Sequence, residues 1–219
     1  MLLNEGEAAY HGARRPATVA SRIVQQASEV IEMNIHHSRL GFVVFLSACS
    51  MMAQAADIEA GKGRAAVCQG CHGSAGVSSS PMWPSLAGQT AAYLESQLKK
   101  FKVGERTNAT MNPMAEELSD SDIQNLAAYF ASLPGKSAGG DKALVEQGKA
   151  KAAMCMGCHG EKLQGKGQFA RLAGQQSSYL ERQLKAFKNG ERKAGPMNAL
   201  AQSLDDEDIK ALAAYLASL

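Results

Sequence analysis

The sequence predicts an all-α protein built from two tandem copies of one helical unit. Apolar residues recur at the three- and four-residue spacing of an α-helix, and no stretch alternates between apolar and polar residues as a strand does. Matching residues also recur 86 or 87 positions apart, as Cys155 follows Cys68 and Tyr215 follows Tyr129. Recurrence at a fixed distance indicates an internal duplication.

The composition restricts the class of protein further. Of 219 residues, 45% are hydrophobic and 20% are charged, which is typical of globular proteins and excludes disordered, collagen-like and multi-span membrane chains. The 23 basic and 21 acidic side chains give a net charge of +2, which is too balanced for a nucleic-acid partner. Aromatic residues make up only 5%, so a bulky cofactor is expected to help fill two small cores.

The amino-terminal segment predicts export. A charge-free run over residues 40–53 follows the basic Arg39 and precedes the small-x-small pattern that ends at Ala55. The run is shorter than the roughly 20 residues of a membrane-spanning helix. We therefore expect a signal peptide over residues 33–55, with residues 1–32 an over-extended start that forms no domain. A lipobox-like sequence ending at Cys49 leaves a lipidated amino terminus as the alternative.

The mature chain divides at a segment rich in proline and glycine. Residues 134–141 contain helix-breaking residues and predict a mobile linker. We expect one domain over residues 56–133 and a second over residues 142–219. Each domain is predicted to contain three helices separated by loops.

The helix boundaries are predicted by apolar periodicity and by end signals. In the first domain we expect a helix from about Asp57 to Val67 and another from about Thr90 to Val103, which stops at Gly104. A third helix is expected to begin at Ser119, where the sequence approximates a capping box. The second domain repeats this order.

Two Cys-x-x-Cys-His motifs carry the chemistry, and they are the signature of c-type haem attachment. Two thiols separated by two residues can each form a thioether with a vinyl group on one porphyrin edge, and the next residue can place its imidazole on the iron. The motifs occupy matching positions in the two domains. Their chemistry-bearing residues are Cys68, Cys71, His72, Cys155, Cys158 and His159.

Three other uses of these cysteines compete with haem. A thioredoxin-like pair would follow a strand and would need no histidine. A four-cysteine zinc site would require the two pairs to converge and would leave both histidines unexplained. Structural disulfides would be strained in loops of two residues. Two motifs in register favour two covalently bound haem c groups over all three.

The remaining axial iron ligands are expected to be methionines. Met111 and Met197 occupy matching positions, each in a loop between the second and third helices, whereas Met114 is matched by Leu200. Apart from the two motif histidines, every histidine precedes Ala55, so ligation by two histidines within the mature chain is excluded. Occupied axial positions leave no open site for substrate and favour electron transfer.

Beyond the two motifs, these residues resemble the dihaem cytochrome c4 family, whose members have tandem class I cytochrome c domains and belong to the bacterial periplasm. The resemblance spans residues 56–219. Its markers in the first domain, each with a counterpart in the second, are the Cys68–His72 motif, Leu86-Ala87-Gly88-Gln89, Met111 and residues 126–131.

The resemblance implies specific contacts within each domain. The first and last helices are expected to cross closely, with Gly61 against Tyr129 and Gly148 against Tyr215. A backbone carbonyl ahead of the Leu-x-Gly segment is expected to orient each axial histidine. That carbonyl belongs to a proline in the first domain and to an alanine at the matching position of the second, namely Pro84 and Ala170.

The resemblance also implies a function. We expect a monomeric electron carrier, not an enzyme, that transfers single electrons from a quinol-oxidising cytochrome bc complex to a terminal oxidase. It would be periplasmic, with peripheral association at the membrane left open. The alternatives are a dihaem enzyme of the peroxidase or thiosulfate dehydrogenase type and a haem-bearing subunit of a larger oxidoreductase.

Charge is distributed unevenly between the two domains. Residues 56–133 contain 6 basic and 8 acidic side chains, whereas residues 142–219 contain 12 basic and 8 acidic side chains. The resulting dipole leads to the hypothesis that the two ends bind different redox partners. Scattered solvated charge without any role in binding is the alternative.

Overall fold

The fold is taken from a computed structural model that describes residues 55–219. The proposed over-extended start, Cys49 and all of the expected signal peptide except Ala55 lie outside the described residues. No helix within residues 55–219 combines the length and the apolarity needed to cross a membrane.

The prediction of an all-α fold is confirmed. Five α-helices form each half, and across residues 55–219 the only β-type pairing is an isolated bridge between Lys166 and Phe169. The helices of the first half are α1 Ile58–Arg64, α2 Ala66–His72, α3 Ala91–Lys102, α4 Met111–Glu116 and α5 Asp120–Ser132. Those of the second are α6 Lys142–Lys151, α7 Ala153–His159, α8 Ser177–Lys188, α9 Pro196–Gln202 and α10 Asp206–Ser218.

The first predicted helix is interrupted in the structure. The expected helix from Asp57 to Val67 breaks at Ala65, which caps α1 and leads into α2. The Cys-x-x-Cys-His motif therefore lies on a short helix of its own. The same break occurs at Ala152, between α6 and α7.

The other helix ends follow the sequence signals. Thr90 caps α3, and its hydroxyl accepts a hydrogen bond from the Tyr93 amide. Ser119 and Asp122 form the expected capping box at the start of α5, and α10 starts with an equivalent box in which Asp205 is the capping residue. These interactions fix where the last helix of each domain begins.

The first and last helices of each domain cross closely, as the resemblance implies. A Cβ atom on Gly61 would overlap the Asn125 carbonyl oxygen and would lie 2.9 Å from Tyr129 Cβ. Gly148 makes the matching approach in the second domain, where Tyr215 Cβ would lie 2.8 Å away. Only a residue without a side chain permits α1 and α5, or α6 and α10, to pack at this distance.

Each domain has its own apolar core under the crossing helices. The largest fully buried side chains in the described chain come from both cores. In the first domain they are Ile123 and Leu126, and in the second they are Leu163, Ile209 and Leu212. The first cysteine of each Cys-x-x-Cys-His motif packs against the core of its own domain.

One pair of neighbouring core residues differs between the two domains. In the first domain, a Cβ on Gly76 would lie 2.8 Å from the Phe130 ring. The matching residues in the second domain are Leu163 and Leu216, which share one core cluster. Leu163 keeps the positive φ of its glycine counterpart, at 57°, although this region strains most side chains. The smaller Leu216 is accompanied by a buried leucine where the first domain has glycine.

The segment between the domains is bonded to the second domain. The sequence predicts a mobile linker over residues 134–141, but the Ala138 amide donates to the Ala217 carbonyl at 2.9 Å and the Ser137 hydroxyl donates to the same oxygen at 3.1 Å. Gly135 lies against Gly88 of the first domain. Hydrogen bonds therefore tie this segment to α10.

Two matching clusters of polar side chains join the domains. The Arg106 guanidinium lies over the Phe101 ring of its own domain and donates to Tyr179 at 3.0 Å and Gln183 at 2.9 Å in the other. Conversely, the Arg192 guanidinium lies over its own Phe187 ring. It donates across the boundary to Tyr93 at 2.8 Å and Gln97 at 2.9 Å.

The arginines also perturb one of the phenols. Burial alone would raise the pKa of Tyr179, but the positive charges and the hydrogen bonds of Arg106 and Arg192 together outweigh this effect and lower the pKa. Each guanidinium thus serves as a charged donor to a partner in the other domain.

Candidate haem-binding sites

Each Cys-x-x-Cys-His motif forms the carboxyl-terminal part of a seven-residue helix. In α2, Cys68 is half-buried and Cys71 is exposed, and their three-residue separation places them on one side of the helix. In α7, Cys155 and Cys158 have the same exposures. The two thiols of each pair can therefore bond to the same edge of one bound cofactor.

The state of these cysteines differs from that expected of a redox pair. None of the four described cysteines forms a disulfide. Burial raises the pKa of the Cys68 thiol, although the charge of Arg64 acts in the opposite direction, and burial raises the pKa of Cys155 as well. A thioredoxin-like attacking thiol has a lowered pKa.

The zinc alternative requires the two cysteine pairs to meet. Within residues 55–219, no group of three or more histidine, cysteine, aspartate or glutamate side chains is arranged to hold a metal ion. Each pair instead packs with its own domain, as described above.

Both motif histidines are buried and held by a backbone carbonyl. The His72 Nδ1 atom lies 2.8 Å from the Pro84 oxygen, and the His159 Nδ1 atom lies 2.7 Å from the Ala170 oxygen. A carbonyl can only accept, so Nδ1 carries the proton in each ring and Nε2 carries the lone pair. The hydrogen bonds that the resemblance implies are thus present in both domains.

The environment favours the neutral form of both rings. Burial lowers the pKa of His72 and of His159, and this effect exceeds the opposing effect of the hydrogen bonds. A neutral imidazole with a free Nε2 lone pair is the form that ligates a metal. An aromatic ring lies edge-on to each histidine, with centroid distances of 6.5 Å for Trp83 and 6.2 Å for Phe169. The chemistry of this donor set fits haem iron.

The two candidate distal methionines begin short helices. Met111 is the first residue of α4 and Met197 is the second residue of α9, so the expectation that they lie in loops is wrong. Both side chains are half-buried. The unmatched Met114 lies in the same helix as Met111 and is 39% exposed.

An asparagine after each methionine fixes the approach to these helices. The Asn112 amide donates to the Phe101 carbonyl at 2.6 Å and the Arg106 carbonyl at 2.9 Å. Asn198 makes the same two bonds in the second domain, at 2.7 Å each, to Phe187 and Arg192. Sequence reasoning overlooked these asparagines, although their separation of 86 residues matches that of the methionines.

Comparison with known proteins identifies the family. The sequence profile described as "Cytochrome c" matches twice, over residues 58–134 and 145–219. Cytochrome c4 of Stutzerimonas stutzeri is 36% identical over 207 residues, covering 82% of this chain and 97% of that protein. A thiosulfate dehydrogenase electron acceptor from strain A1501 of the same species is 34% identical over 209 residues, covering 85% and 96%.

A solved structure agrees with these matches. The crystal structure of reduced recombinant cytochrome c4 from Pseudomonas stutzeri superposes with a TM-score of 0.71 at 36% identity, covering 75% of this chain and all of that one. Two cytochrome c domains of this type imply two covalently bound haem c groups. The chain therefore belongs to the dihaem cytochrome c4 family, whose members are c-type electron carriers.

Proposed function

We propose that this protein carries single electrons in the periplasm from a quinol-oxidising cytochrome bc complex to a terminal oxidase. One observation carries the proposal: both domains hold a buried histidine, fixed by a backbone carbonyl, at the end of a Cys-x-x-Cys-His helix. Occupation of both axial positions of each haem iron by protein ligands suits an electron carrier, because it leaves no site for a substrate.

The residue roles follow from the donor chemistry. One haem would be held through thioethers by Cys68 and Cys71, and the other by Cys155 and Cys158. His72 and His159 would serve as the proximal ligands, through Nε2. The two repeat-matched methionines, Met111 and Met197, would serve as the distal ligands.

When bound, the haem supplies the redox chemistry, a one-electron change between ferric and ferrous iron. The protein chain sets the reduction potential of that change. A methionine thioether favours the ferrous state and raises the potential relative to a second histidine. Each Nδ1 proton stays on the ring and is donated in a hydrogen bond to the backbone carbonyl oxygen, which holds the ring in one tautomer and orientation.

The residue assignments and the mature amino terminus can be tested on one preparation. Protein exported by cells with a working haem-attachment system should have an intact mass that includes two haems and begins after Ala55. Its oxidised form should show the far-red absorption of methionine–iron bonding. A colourless product, or one with zinc in place of haem, would overturn the assignments.

The proposed partners can be tested kinetically. Purified protein should be reduced by a quinol-oxidising bc complex and reoxidised by terminal oxidase in membranes that lack other soluble cytochromes. Purification as a free monomer is expected as well. Constant recovery with a larger oxidoreductase would instead favour the role of a permanent subunit.

A second candidate function is supported by two of the matched relatives, each of which is named as a thiosulfate dehydrogenase electron acceptor. This chain would then receive electrons from such an enzyme. Stopped-flow mixing with the reduced dehydrogenase distinguishes this donor from the bc complex. An enzymatic role for the chain itself would require an open iron position, so binding of carbon monoxide to untreated reduced protein would support it.

The charge asymmetry supports a further prediction about partner binding. Lys185 and Lys193 are exposed on the basic second domain, whereas the Lys188 ammonium donates to the Leu204 carbonyl and is unsuitable for a surface test. We expect K185E/K193E to slow electron transfer with one partner about tenfold at low salt and to flatten its salt dependence.

K99E is the matched control for the single variant K185E. Lys99 is the counterpart of Lys185 in the first domain, and both lysines are paired, Lys99 with Glu95 at 2.6 Å and Lys185 with Asp206 at 3.4 Å. K99E should leave the rate with that same partner unchanged. Unchanged rates in K185E/K193E with either partner would show that the asymmetry plays no part in docking.

A further inference from the structure

Two buried glutamines reach across the boundary between the domains. Gln89 and Gln175 follow Gly88 and Gly174 at matching positions and are 6% and 8% exposed. Each carboxamide both accepts from and donates to a single residue of the opposite domain. Both residues contacted in this way lie next to the carbonyl that holds a motif histidine.

The first contact joins Gln175 of the second domain to Ser85 of the first domain (domain 1). The Ser85 amide donates to Gln175 Oε1 at 2.8 Å, and Gln175 Nε2 donates to the Ser85 carbonyl at 2.8 Å. The Ser85 N–H belongs to the same peptide group as the Pro84 carbonyl, and that carbonyl accepts from His72 Nδ1. A continuous hydrogen-bonded path therefore runs from the second domain to the first domain's histidine.

The second contact runs in the opposite direction. The Arg171 amide donates to Gln89 Oε1 at 2.6 Å, and Gln89 Nε2 donates to the Arg171 carbonyl at 3.0 Å. The Arg171 N–H shares its peptide group with the Ala170 carbonyl, which accepts from His159 Nδ1. The two paths are equivalent under the internal repeat.

We propose that Gln175 and Gln89 are reciprocal positioning residues, each of which sets the strength of the proximal-histidine hydrogen bond in the other domain. The peptide group is planar and conjugated, so a hydrogen bond accepted from its N–H polarises its C=O. Successive hydrogen bonds strengthen each other by roughly 10–30% per bond. The inference rests on the proposed function, because it takes His72 and His159 as iron ligands.

The direction of the effect follows from ligand basicity. A stronger acceptor at Nδ1 makes the imidazole a more basic ligand, and a more basic ligand favours ferric iron. Each glutamine therefore lowers the reduction potential of the haem in the opposite domain. The haem in the same domain as the glutamine is unaffected by this path.

The test is a crossed pattern of potentials. The variants Gln175→Met and Gln89→Met keep the side-chain length but remove the carboxamide. In spectroelectrochemical titrations of the dihaem protein, Gln175→Met should shift the domain 1 potential upward and leave domain 2 unchanged. Gln89→Met should do the reverse. A Met111→His background, which lowers only the domain 1 potential, assigns each potential to its domain.

Gln183→Met is the matched control. Gln183 also contacts the other domain, through Arg106, but it does not touch either histidine-bearing loop. This variant should leave both potentials unchanged. Equal shifts in all three variants would indicate general loosening of the interface and overturn the proposal.

A second measurement remains informative if a methionine variant folds poorly. Gln175→Glu keeps the oxygen acceptor, loses the donor and adds a negative charge, so it should shift the domain 1 potential downward, opposite to the shift in Gln175→Met. A shift confined to the glutamine's own domain, or no shift, would refute the relay. Absence of covalent haem in the parent would refute the proposed function instead, before any variant is compared.

Discussion

Replacing Gly61 with alanine is expected to destabilise the first domain by about 3 kcal/mol or more, because overpacking against backbone has no inexpensive relief. The added Cβ would overlap the Asn125 carbonyl oxygen of α5, so α1 and α5 would have to separate. Guanidinium unfolding of the dihaem protein, followed by far-ultraviolet circular dichroism, measures the loss.

Gly63 provides a control in the same helix. A Cβ at this position would have no neighbour within 4 Å, and the residue is exposed. Gly63→Ala should therefore stabilise the domain by about 0.5–1 kcal/mol through helix propensity. If both alanine variants changed stability equally, the close helix crossing would not be what requires glycine at position 61.

Replacing Met111 with alanine is expected to open the distal coordination position on one of the two haem irons. The far-red absorption of the oxidised protein should fall by about half, and the reduced protein should bind one carbon monoxide per chain. Met111→His should keep the position filled but lower one potential by on the order of 0.1 V, because the thioether no longer favours ferrous iron. Optical titration and redox potentiometry measure these effects.

Met114 is the natural control for this substitution. It lies three residues further along α4 and is substantially exposed, and its counterpart in the second domain is a leucine. Met114→Ala should leave absorption, carbon monoxide binding and both potentials unchanged. Loss of the far-red signal in this variant, but not in Met111→Ala, would reassign the distal ligand of the first domain.

Local signals predicted much of the fold. The capping box at Ser119 and the stop at Gly104 lie within a few residues of the helix ends they determine, so they can be recognised without tertiary information. The pairing of Gly61 with Tyr129 was expected only because the sequence resembles a known family. Periodicity alone would have left both as ordinary helix residues.

Other features have no local signal. The helix that begins at Met111 has six residues, which is too short to display apolar periodicity. Leu163 has a positive φ because the backbone path is shared with Gly76 of the first domain, and a leucine gives no indication of this in sequence.

The interface between the domains was also beyond sequence reasoning. Arg106 and Tyr179 are 73 residues apart, and the contacts of Gln89 and Gln175 span still greater separations. Charged and amide side chains of this kind are usually interpreted as solvated surface. Only the packing of one domain on the other reveals their partners.

The reciprocal arginine clusters make the contact between the domains self-complementary. Because Arg106 meets Tyr179 as Arg192 meets Tyr93, the interface is isologous, like that of a twofold homodimer. Two separate copies would need a sufficient concentration to associate in this way, whereas one chain that carries both halves keeps them at a fixed effective concentration. The contact is therefore independent of the concentration of the protein.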